Sequence, residues 1–322
     1  MVDLRRRNVA ALALSSLAAS TLASSARAQQ SAPNGVRAAV DRFAKLPVSS
    51  ASCLVNAGWQ ASHAPDARLF VGSAVKTFIL AQYLREVEAD RLKEEQLLAI
   101  DDTVRSPGSP VFIDLSGKTA ARNVLEAMIS HSDNTATDAA MAAVGVANVR
   151  ALIKEAGLGQ TQIPESTRRL FIFLASGKNE NIGWAEVLKL LDKPTNVQPT
   201  INPTQTMAST SYDMVKWYQD ALRGRFFKQP ATLLEFKRIQ AMADALVRVV
   251  PPDTMAYGKG GSIDWADFHC FCLPGQMIVK AVPVTFCFTI NWTGKDETVG
   301  PIFKAYRDTV ADVLSESAKA IA

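Results

Sequence analysis

Residues 72–80 read GSAVKTFIL, and they mark the point where the sequence changes from strand-like to helix-like patterns. Short β-like runs precede this stretch near residues 51–59 and 67–71. Helical periodicity follows from about 75 to 250, and β-like runs then return to about residue 292. Because an isolated two-stranded ribbon is only marginally stable, strands from the two ends of the chain are expected to share one sheet.

This arrangement predicts an α/β (α+β) fold in which a helical lobe is inserted into a sheet subdomain. The sheet subdomain is expected to comprise about 35–74 and 251–318, and the helical lobe about 75–250. Residues 299–318 carry apolar side chains at helical spacing, so they are expected to form a helix that covers the sheet. A cleft between the two parts is the expected location of a site.

The first 28 residues have the layout of an export signal. Arginines at 5–7 precede a mildly apolar run at 9–22, and small residues follow up to Ala28. The run is short for a membrane span, and no cysteine follows it to accept a lipid, so no membrane anchor is expected. The sequence predicts a mature chain of 29–322 in the periplasm or the medium, and the arginine cluster resembles a twin-arginine signal.

The charge of the mature chain argues against nucleic acid and membrane surfaces as partners. The whole chain of 322 residues carries a net charge of +4, and its first 28 residues contain four arginines and one aspartate. About +1 therefore remains, which gives no basic field for a polyanion. A small-molecule substrate and a monomeric protein are the expectation.

The cysteines and histidines lack the spacing of a metal site. Cys53, Cys270, Cys272 and Cys287 form no CxxC pair, and the three histidines are scattered, so neither a metal nor another cofactor is expected. In an oxidising compartment Cys53 and Cys287 could form a disulfide if their strands are neighbours, or they could remain buried thiols.

The first chemical motif is Ser73-Ala74-Val75-Lys76, at the predicted start of a helix. At i and i+3 the hydroxyl and the amine share one face, so Lys76 can take the proton of Ser73 if burial keeps it partly neutral. By itself this pattern is common, and a helix cap with a surface lysine explains it equally well.

Two further motifs follow in the chain. Ser132-Asp133-Asn134 lies between two helical stretches, and Lys259-Gly260-Gly261-Ser262 lies in a strand-like run near the C-terminus. Glycines in a strand allow another backbone or a ligand to approach closely. Each motif alone is also typical of a helix cap or a hairpin.

Together and in this order, the three motifs resemble the S-x-x-K, S-D-N and K-T-G elements of the penicillin-recognising serine enzymes. The chain resembles the class A β-lactamase-like serine hydrolase family over about residues 35–318. The resemblance implies a five-stranded antiparallel sheet, built from both chain ends and flanked by helices, with an inserted all-helical lobe. The interval of 127 residues between Ser132 and Lys259 is longer than is usual in that family.

The resemblance also implies roles for the matching residues. Ser73 would be the nucleophile, Lys76 its activating partner, and Ser132 a proton relay to the leaving nitrogen. Asn134 would bind the substrate amide, and Lys259 would attract the substrate carboxylate.

Three more residues complete the substrate-binding set implied by the resemblance. The oxyanion would lie between the backbone N–H groups of Ser73 and Ser262, beside Gly261. Arg248 resembles an arginine that some members use to support the carboxylate. Gly260 replaces the usual threonine or serine of the K-T-G element and supplies no hydroxyl.

Deacylation in this family needs a general base on the loop after the second motif, and Glu165 is the candidate. The family more often has E-x-x-L-N at this point, whereas Arg168 and Arg169 follow Glu165 here. Asp138 stands where the family commonly carries an asparagine that steadies this loop. A carboxylate near Glu165 would raise the pKa of one of the two acids unless an arginine compensates.

The sequence therefore predicts an exported serine β-lactamase that acts through an acyl-enzyme on Ser73. One alternative is a related serine hydrolase such as an esterase, amidase or D,D-peptidase, which the altered loop and Gly260 would suit. The other is a penicillin-binding protein that is acylated without turnover.

Overall fold

The computed structural model describes residues 30–321, so the predicted export signal at 1–28 lies outside the described residues. Eleven strands occur in this part of the chain. They are β1 (Gln30–Ser31), β2 (Ser50–Asn56), β3 (Trp59–His63), β4 (Leu69–Phe70), β5 (Leu97–Ile100), β6 (Gly117–Ala120), β7 (Ala208–Ser209), β8 (Met255–Gly258), β9 (Gly261–Trp265), β10 (Phe268–Val279) and β11 (Val282–Thr293).

Ten α-helices and three short 3-10 turns accompany the strands in the described residues. The helices are α1 (Asn34–Phe43), α2 (Lys76–Glu88), α3 (Ala121–Ser130), α4 (Asn134–Val144), α5 (Val146–Glu155), α6 (Thr167–Ser176), α7 (Trp184–Asp192), α8 (Ser211–Leu222), α9 (Pro230–Gln240) and α10 (Val299–Lys319). The 3-10 turns are Gly72–Val75, Leu246–Arg248 and Asp296–Thr298.

The main sheet joins strands from both ends of the chain. Its antiparallel order is β3-β2-β11-β10, and β8 and β9 follow one another along the outer edge of β10. These strands fill five positions, so the predicted α+β fold with a five-stranded antiparallel sheet is confirmed. The short β1 adds a parallel pair with β3, which the sequence patterns did not indicate.

Helices cover both faces of this sheet. On one face α1 and α10 pack together, and α10 buries Ile302, Tyr306 and Val310 at the spacing of one helical stripe. Phe43 of α1 meets Phe288 of β11 edge to face. On the other face α8 contacts β2, β10 and β11, which joins the sheet to the helical part of the chain.

Helices α2 to α9 occupy the middle of the chain, as the periodicity indicated, together with two small ribbons. Strand β4 pairs with β7, and β5 pairs with β6. The residue boundaries of the two predicted subdomains stay a prediction. No single helix within residues 30–321 has the length and apolar character needed to cross a bilayer; α4 and α5 pass that test only as a pair bent by 84°.

The four cysteines are buried free thiols, and the pairing of β2 with β11 places Cys53 opposite Phe288 and Cys287 opposite Leu54. Of the two states considered for Cys53 and Cys287, the structure therefore has the unpaired one. Within the described residues no group of three or more His, Cys, Asp or Glu side chains could hold a metal ion.

Candidate active site

Ser73 lies on a tight turn that leads directly into a buried helix. It belongs to the 3-10 turn Gly72–Val75, and α2 begins immediately afterwards at Lys76. Gly72 has φ +53°, a conformation that only glycine adopts without steric cost. A Cβ at Gly72 would lie 2.9 Å from the backbone nitrogen of Ser262, so the turn is in direct contact with β9.

Lys76 is fully buried, and its ammonium nitrogen points toward the loop before α4. Nζ donates to Asn134 Oδ1 at 2.8 Å and to Ser132 Oγ at 3.3 Å, and also to the carbonyl oxygen of Ser132. Burial and the nearby charge of Lys259 hold the pKa of Lys76 well below its usual value. A larger fraction of the amine is therefore neutral, which is the form that can accept a proton.

These hydrogen bonds direct the amine of Lys76 to Ser132, and no hydrogen bond joins it to Ser73 in this structure. Catalytic hydrogen bonds are often long in a free enzyme and form only when substrate binds. Lys76 therefore contacts the second motif through Ser132 and Asn134, and it lies one helical turn from Ser73 in the first motif.

Ser132 is held in an unusual backbone conformation between α3 and α4. Its φ of +58° is rare for a residue with a side chain and costs about 1–3 kcal/mol. The neighbouring Asp133 maintains it: this buried carboxylate caps α4 through the N–H of Ala136 at 2.7 Å and accepts the N–H groups of Val111 and Phe112 at 2.8 and 2.9 Å. The loop therefore presents Ser132 rigidly to Lys76.

Strand β9 passes so close to the turn at Ser73 that only glycine fits at the first position of the strand. A Cβ at Gly261 would lie 2.9 Å from the Ser73 amide nitrogen and 2.7 Å from that of Ala74. The backbones of Ser73 and Ser262 are therefore neighbours, as an oxyanion site between their N–H groups requires.

Replacing Gly261 with alanine is expected to disable this site, because β9 or the turn must move to admit the methyl group. We expect the variant to be destabilised by about 1–3 kcal/mol, which is typical of overpacking. We also expect its acylation rate to fall by more than this loss of stability alone would cause. Thermal unfolding and stopped-flow acylation by a β-lactam would measure the two effects. Gly300→Ala is the matched control, since a Cβ there meets nothing within 4 Å; equal losses in both variants would contradict the expectation.

Lys259 lies in the short link between β8 and β9, where it is buried with its Nζ donating to the Gly260 carbonyl oxygen at 2.8 Å. Burial lowers the pKa of Lys259 to about 8, while the charge of Asp244 opposes this shift. Lys259 lines a cavity of about 320 Å³ together with Ser132 and Ser262. An anionic group of a ligand in this cavity would meet the cation of Lys259.

Arg248 lines the same cavity, at the end of the 3-10 turn Leu246–Arg248. The far wall comes from the C-terminal helix α10 through Phe303 and Arg307, and from β10 through Phe271, whose ring packs on Phe303. No pattern in the sequence indicated this wall. The helical stripe of α10 indicated only a covering helix, and its partly exposed side chains carried no separate signal.

Glu165 does not line the small cavity beside Ser73. Its carboxylate forms an ion pair with Arg169, and its backbone N–H donates to Gln205 at 3.0 Å. It lines a separate open cavity of about 470 Å³. The residue of this loop that lines the small cavity beside Ser73 is Thr167, the first residue of α6. The role of Glu165 as general base stays a prediction.

Asp138 supports this loop through the backbone, as the resemblance implied for the residue at its position. Its carboxylate accepts the N–H of Thr167 at 2.7 Å and that of Arg168 at 2.9 Å. Burial raises the pKa of Asp138 to about 6, against the opposing charge of Lys76. Arg168 is held by the carbonyl oxygens of Asp102 and Ile182 and does not reach Ser73's cavity.

The sequence model of the beta-lactamase enzyme family matches residues 36–270. This chain belongs to the beta-lactamase enzyme family. The resemblance to the penicillin-recognising serine enzymes is thereby confirmed. The matched range contains all three motifs. It excludes most of β10 and all of β11 and α10. No curated protein sequence matches the chain significantly.

Solved structures of beta-lactamases share the fold. The chain is similar to a beta-lactamase from Sphaerobacter thermophilus at 19% identity and a TM-score of 0.70, covering 89% of this chain and 96% of that one. A chromosome-encoded beta-lactamase of Vibrio parahaemolyticus has 16% identity and a TM-score of 0.69, covering 88% and 98%. PBP-A also has 16% identity and a TM-score of 0.69, covering 90% and 98%.

Proposed function

We propose that this protein is an exported serine β-lactamase of the class A type, which hydrolyses the β-lactam amide through an acyl-enzyme on Ser73. The observation that carries the proposal is the burial and the hydrogen bonding of the Lys76 amine. This fully buried amine has a lowered pKa, lies one helical turn from Ser73, and is hydrogen-bonded to Ser132. Membership of the beta-lactamase enzyme family supports the same activity.

Acylation follows from this arrangement. Ser73 Oγ attacks the β-lactam carbonyl carbon while its proton passes to Lys76 Nζ, and the N–H groups of Ser73 and Ser262 stabilise the oxyanion. Ser132 then gives its hydroxyl proton to the leaving nitrogen and receives one from Lys76. The bond between carbonyl carbon and nitrogen breaks, and Lys76 returns to its neutral form.

The substrate carboxylate is proposed to lie in the 320 Å³ cavity near Lys259 and Arg248. Within the described residues Arg248 has no ion-pair partner, so its charge is available to an anion. The apolar wall formed by Phe271 and Phe303 would accommodate a hydrophobic substituent on the same side of the substrate.

Activity on anionic substrates is expected to fall as the pH rises above about 8, because Lys259 then loses its proton and no longer attracts the carboxylate. The fall should appear mainly in KM. In Lys259→Arg the guanidinium stays charged, so this fall in activity should shift to higher pH. Profiles of kcat and KM from pH 6 to about 10 would test this; an unchanged alkaline limb in Lys259→Arg would contradict it.

Time-resolved intact mass spectrometry of the mature protein with benzylpenicillin tests the proposed function. A transient adduct of the drug's mass that disappears as hydrolysed drug accumulates is the expected result. Absence of any adduct would reject the proposal and favour the related serine hydrolases, such as an esterase, amidase or D,D-peptidase, which a panel of p-nitrophenyl esters and peptides would then test.

A second candidate function is a penicillin-binding protein that is acylated without turnover. The position of Glu165 favours it, since its carboxylate is paired with Arg169 and lies outside the cavity beside Ser73. A structure of a PBP-A variant similar to this chain is described as an acyl-enzyme complex with penicillin G. A persistent adduct in the mass experiment would select this function.

Export to the periplasm or the medium and a monomeric state are part of the proposal. The support for export is the layout of residues 1–28. N-terminal sequencing of the protein recovered from outside the cytoplasm would test the cleavage after Ala28.

A further inference from the structure

A cavity of about 30 Å³ lies directly beside Ser73, and it has room for a water molecule. Its polar lining residues include Ser73, Asn134 and Thr167, and the apolar residues Leu170 and Phe171 form part of its wall. A water bound in such a site needs two or more polar partners, which these residues can supply. A water held here would be next to an ester formed on Ser73.

The hydroxyl of Thr167 is the unsatisfied group in this cavity. Thr167 is 2% exposed, and its Oγ1 is buried without a hydrogen-bond partner. Leaving a buried hydroxyl unpaired costs about 1–3 kcal/mol, so the observation points to a ligand that would pair with it. The adjacent cavity is where that ligand can lie.

Behind Thr167 lies a buried carboxylate. Asp138 accepts the backbone N–H of Thr167 at 2.7 Å. The Thr167 hydroxyl lies near enough to lower the pKa of the Asp138 carboxyl, although the two groups do not have the geometry of a hydrogen bond. Asp138 lines the open cavity of about 470 Å³ on the other side of the loop. Thr167 therefore lies between a water-sized cavity at Ser73 and a carboxylate with a route to solvent.

We propose that Asp138 and Thr167 form the base that activates the deacylating water, with Thr167 in contact with the water and Asp138 receiving the proton. The inference rests on the proposed acyl-enzyme at Ser73.

The step balances in atoms and charge. The water oxygen bonds to the ester carbonyl carbon while one of its protons passes to Thr167 Oγ1, and the Thr167 hydroxyl proton passes to Asp138. The bond from the carbonyl carbon to Ser73 Oγ then breaks. The remaining proton of the attacking water passes from the new carboxyl group through neutral Lys76 to Ser73 Oγ, which leaves the product as a carboxylate. Asp138 finally loses its proton to solvent through the open cavity.

The experiment measures acylation and deacylation separately for four variants treated with benzylpenicillin. Thr167→Val preserves the shape and removes the hydroxyl, Thr167→Ser restores a hydroxyl, and Asp138→Asn removes the base. We expect Thr167→Val and Asp138→Asn to lower the deacylation rate by about 10²–10⁴ while the adduct still forms. Thr167→Ser should keep most of the rate. Glu165→Gln removes the competing candidate base, so it compares the two assignments of the base directly.

The pH dependence of deacylation provides a readout that loss of loop structure would not produce. The groups that face Asp138 are Lys76 from α2 and Arg168 from α6, and the pair Glu165 and Arg169 shares its outer cavity. The native deacylation rate should fall as the pH drops below about 6, because Asp138 becomes protonated. Asp138→Asn should show no such limb.

The outcomes separate this inference from the proposed function. No adduct in the native chain rejects the acyl-enzyme itself. Deacylation that Thr167→Val leaves unchanged rejects the inference alone. An adduct that persists in the native chain rejects both the inference and β-lactamase turnover, and it selects the penicillin-binding function. Slow deacylation in Glu165→Gln, with native rates in the Thr167 and Asp138 variants, would assign the base to Glu165 and overturn it.

Discussion

Replacing Ser73 with alanine is expected to abolish both the penicillin adduct and penicillin hydrolysis. In the proposed mechanism the Ser73 hydroxyl supplies the atom that bonds to the β-lactam carbonyl, and no neighbouring side chain in the turn carries a nucleophile that could replace it. Loss of a serine nucleophile typically lowers kcat by about 10⁶. Intact mass after incubation with benzylpenicillin, together with a continuous hydrolysis assay, would measure the two losses.

The change is structurally mild, so an effect on folding should not confuse the result. Ser73 is partly exposed, and its side chain makes no hydrogen bond within the described residues. The melting temperature of Ser73→Ala should therefore match that of the native chain. Ser262→Ala is the matched control: it removes a hydroxyl in the same site but keeps the backbone N–H, so it should still form the adduct. An adduct on Ser73→Ala would place the nucleophile elsewhere.

The parts of the site that could be predicted from the sequence are those fixed by local spacing. Lys76 lies one turn beyond Ser73 because the two are three residues apart, and Asp133 caps α4 as a residue of its type does at a helix start. That both chain ends contribute to one sheet followed from the strand-like runs at each end, and the family resemblance implied that this sheet is antiparallel. These features depend on neighbours in sequence, or on the need of every strand to find a partner.

The parts that could not be predicted depend on contacts between distant segments. Gly261 is required because β9 meets the turn at Ser73. The glycines of this motif indicated a close approach, but they did not indicate which segment approaches. The course of the chain at the start of α6 depends on Asp138, whose carboxylate accepts the N–H groups of Thr167 and Arg168. Spacing from the second motif indicated Glu165 as the base, which stays a prediction, and it did not indicate that Thr167 lines the small cavity beside Ser73.

Replacing Lys76 with arginine is expected to lower the acylation rate about as strongly as replacing it with methionine, by about 10²–10⁴. Both changes remove a group that can be neutral and accept the proton of Ser73, because a guanidinium stays charged at any accessible pH. A role limited to positive charge would predict the opposite order, since arginine keeps the cation and methionine does not.

The pH profile distinguishes the two roles further. Burial and the charge of Lys259 lower the pKa of Lys76, so acylation by the native chain should rise with pH as this amine loses its proton. That limb should disappear in both variants, whereas the alkaline fall caused by Lys259 should remain. Stopped-flow acylation from pH 4.5 to about 9.5 would measure it, with circular dichroism to confirm folding. Near-native acylation in Lys76→Arg would show that Lys76 acts through its charge and that another group accepts the proton of Ser73.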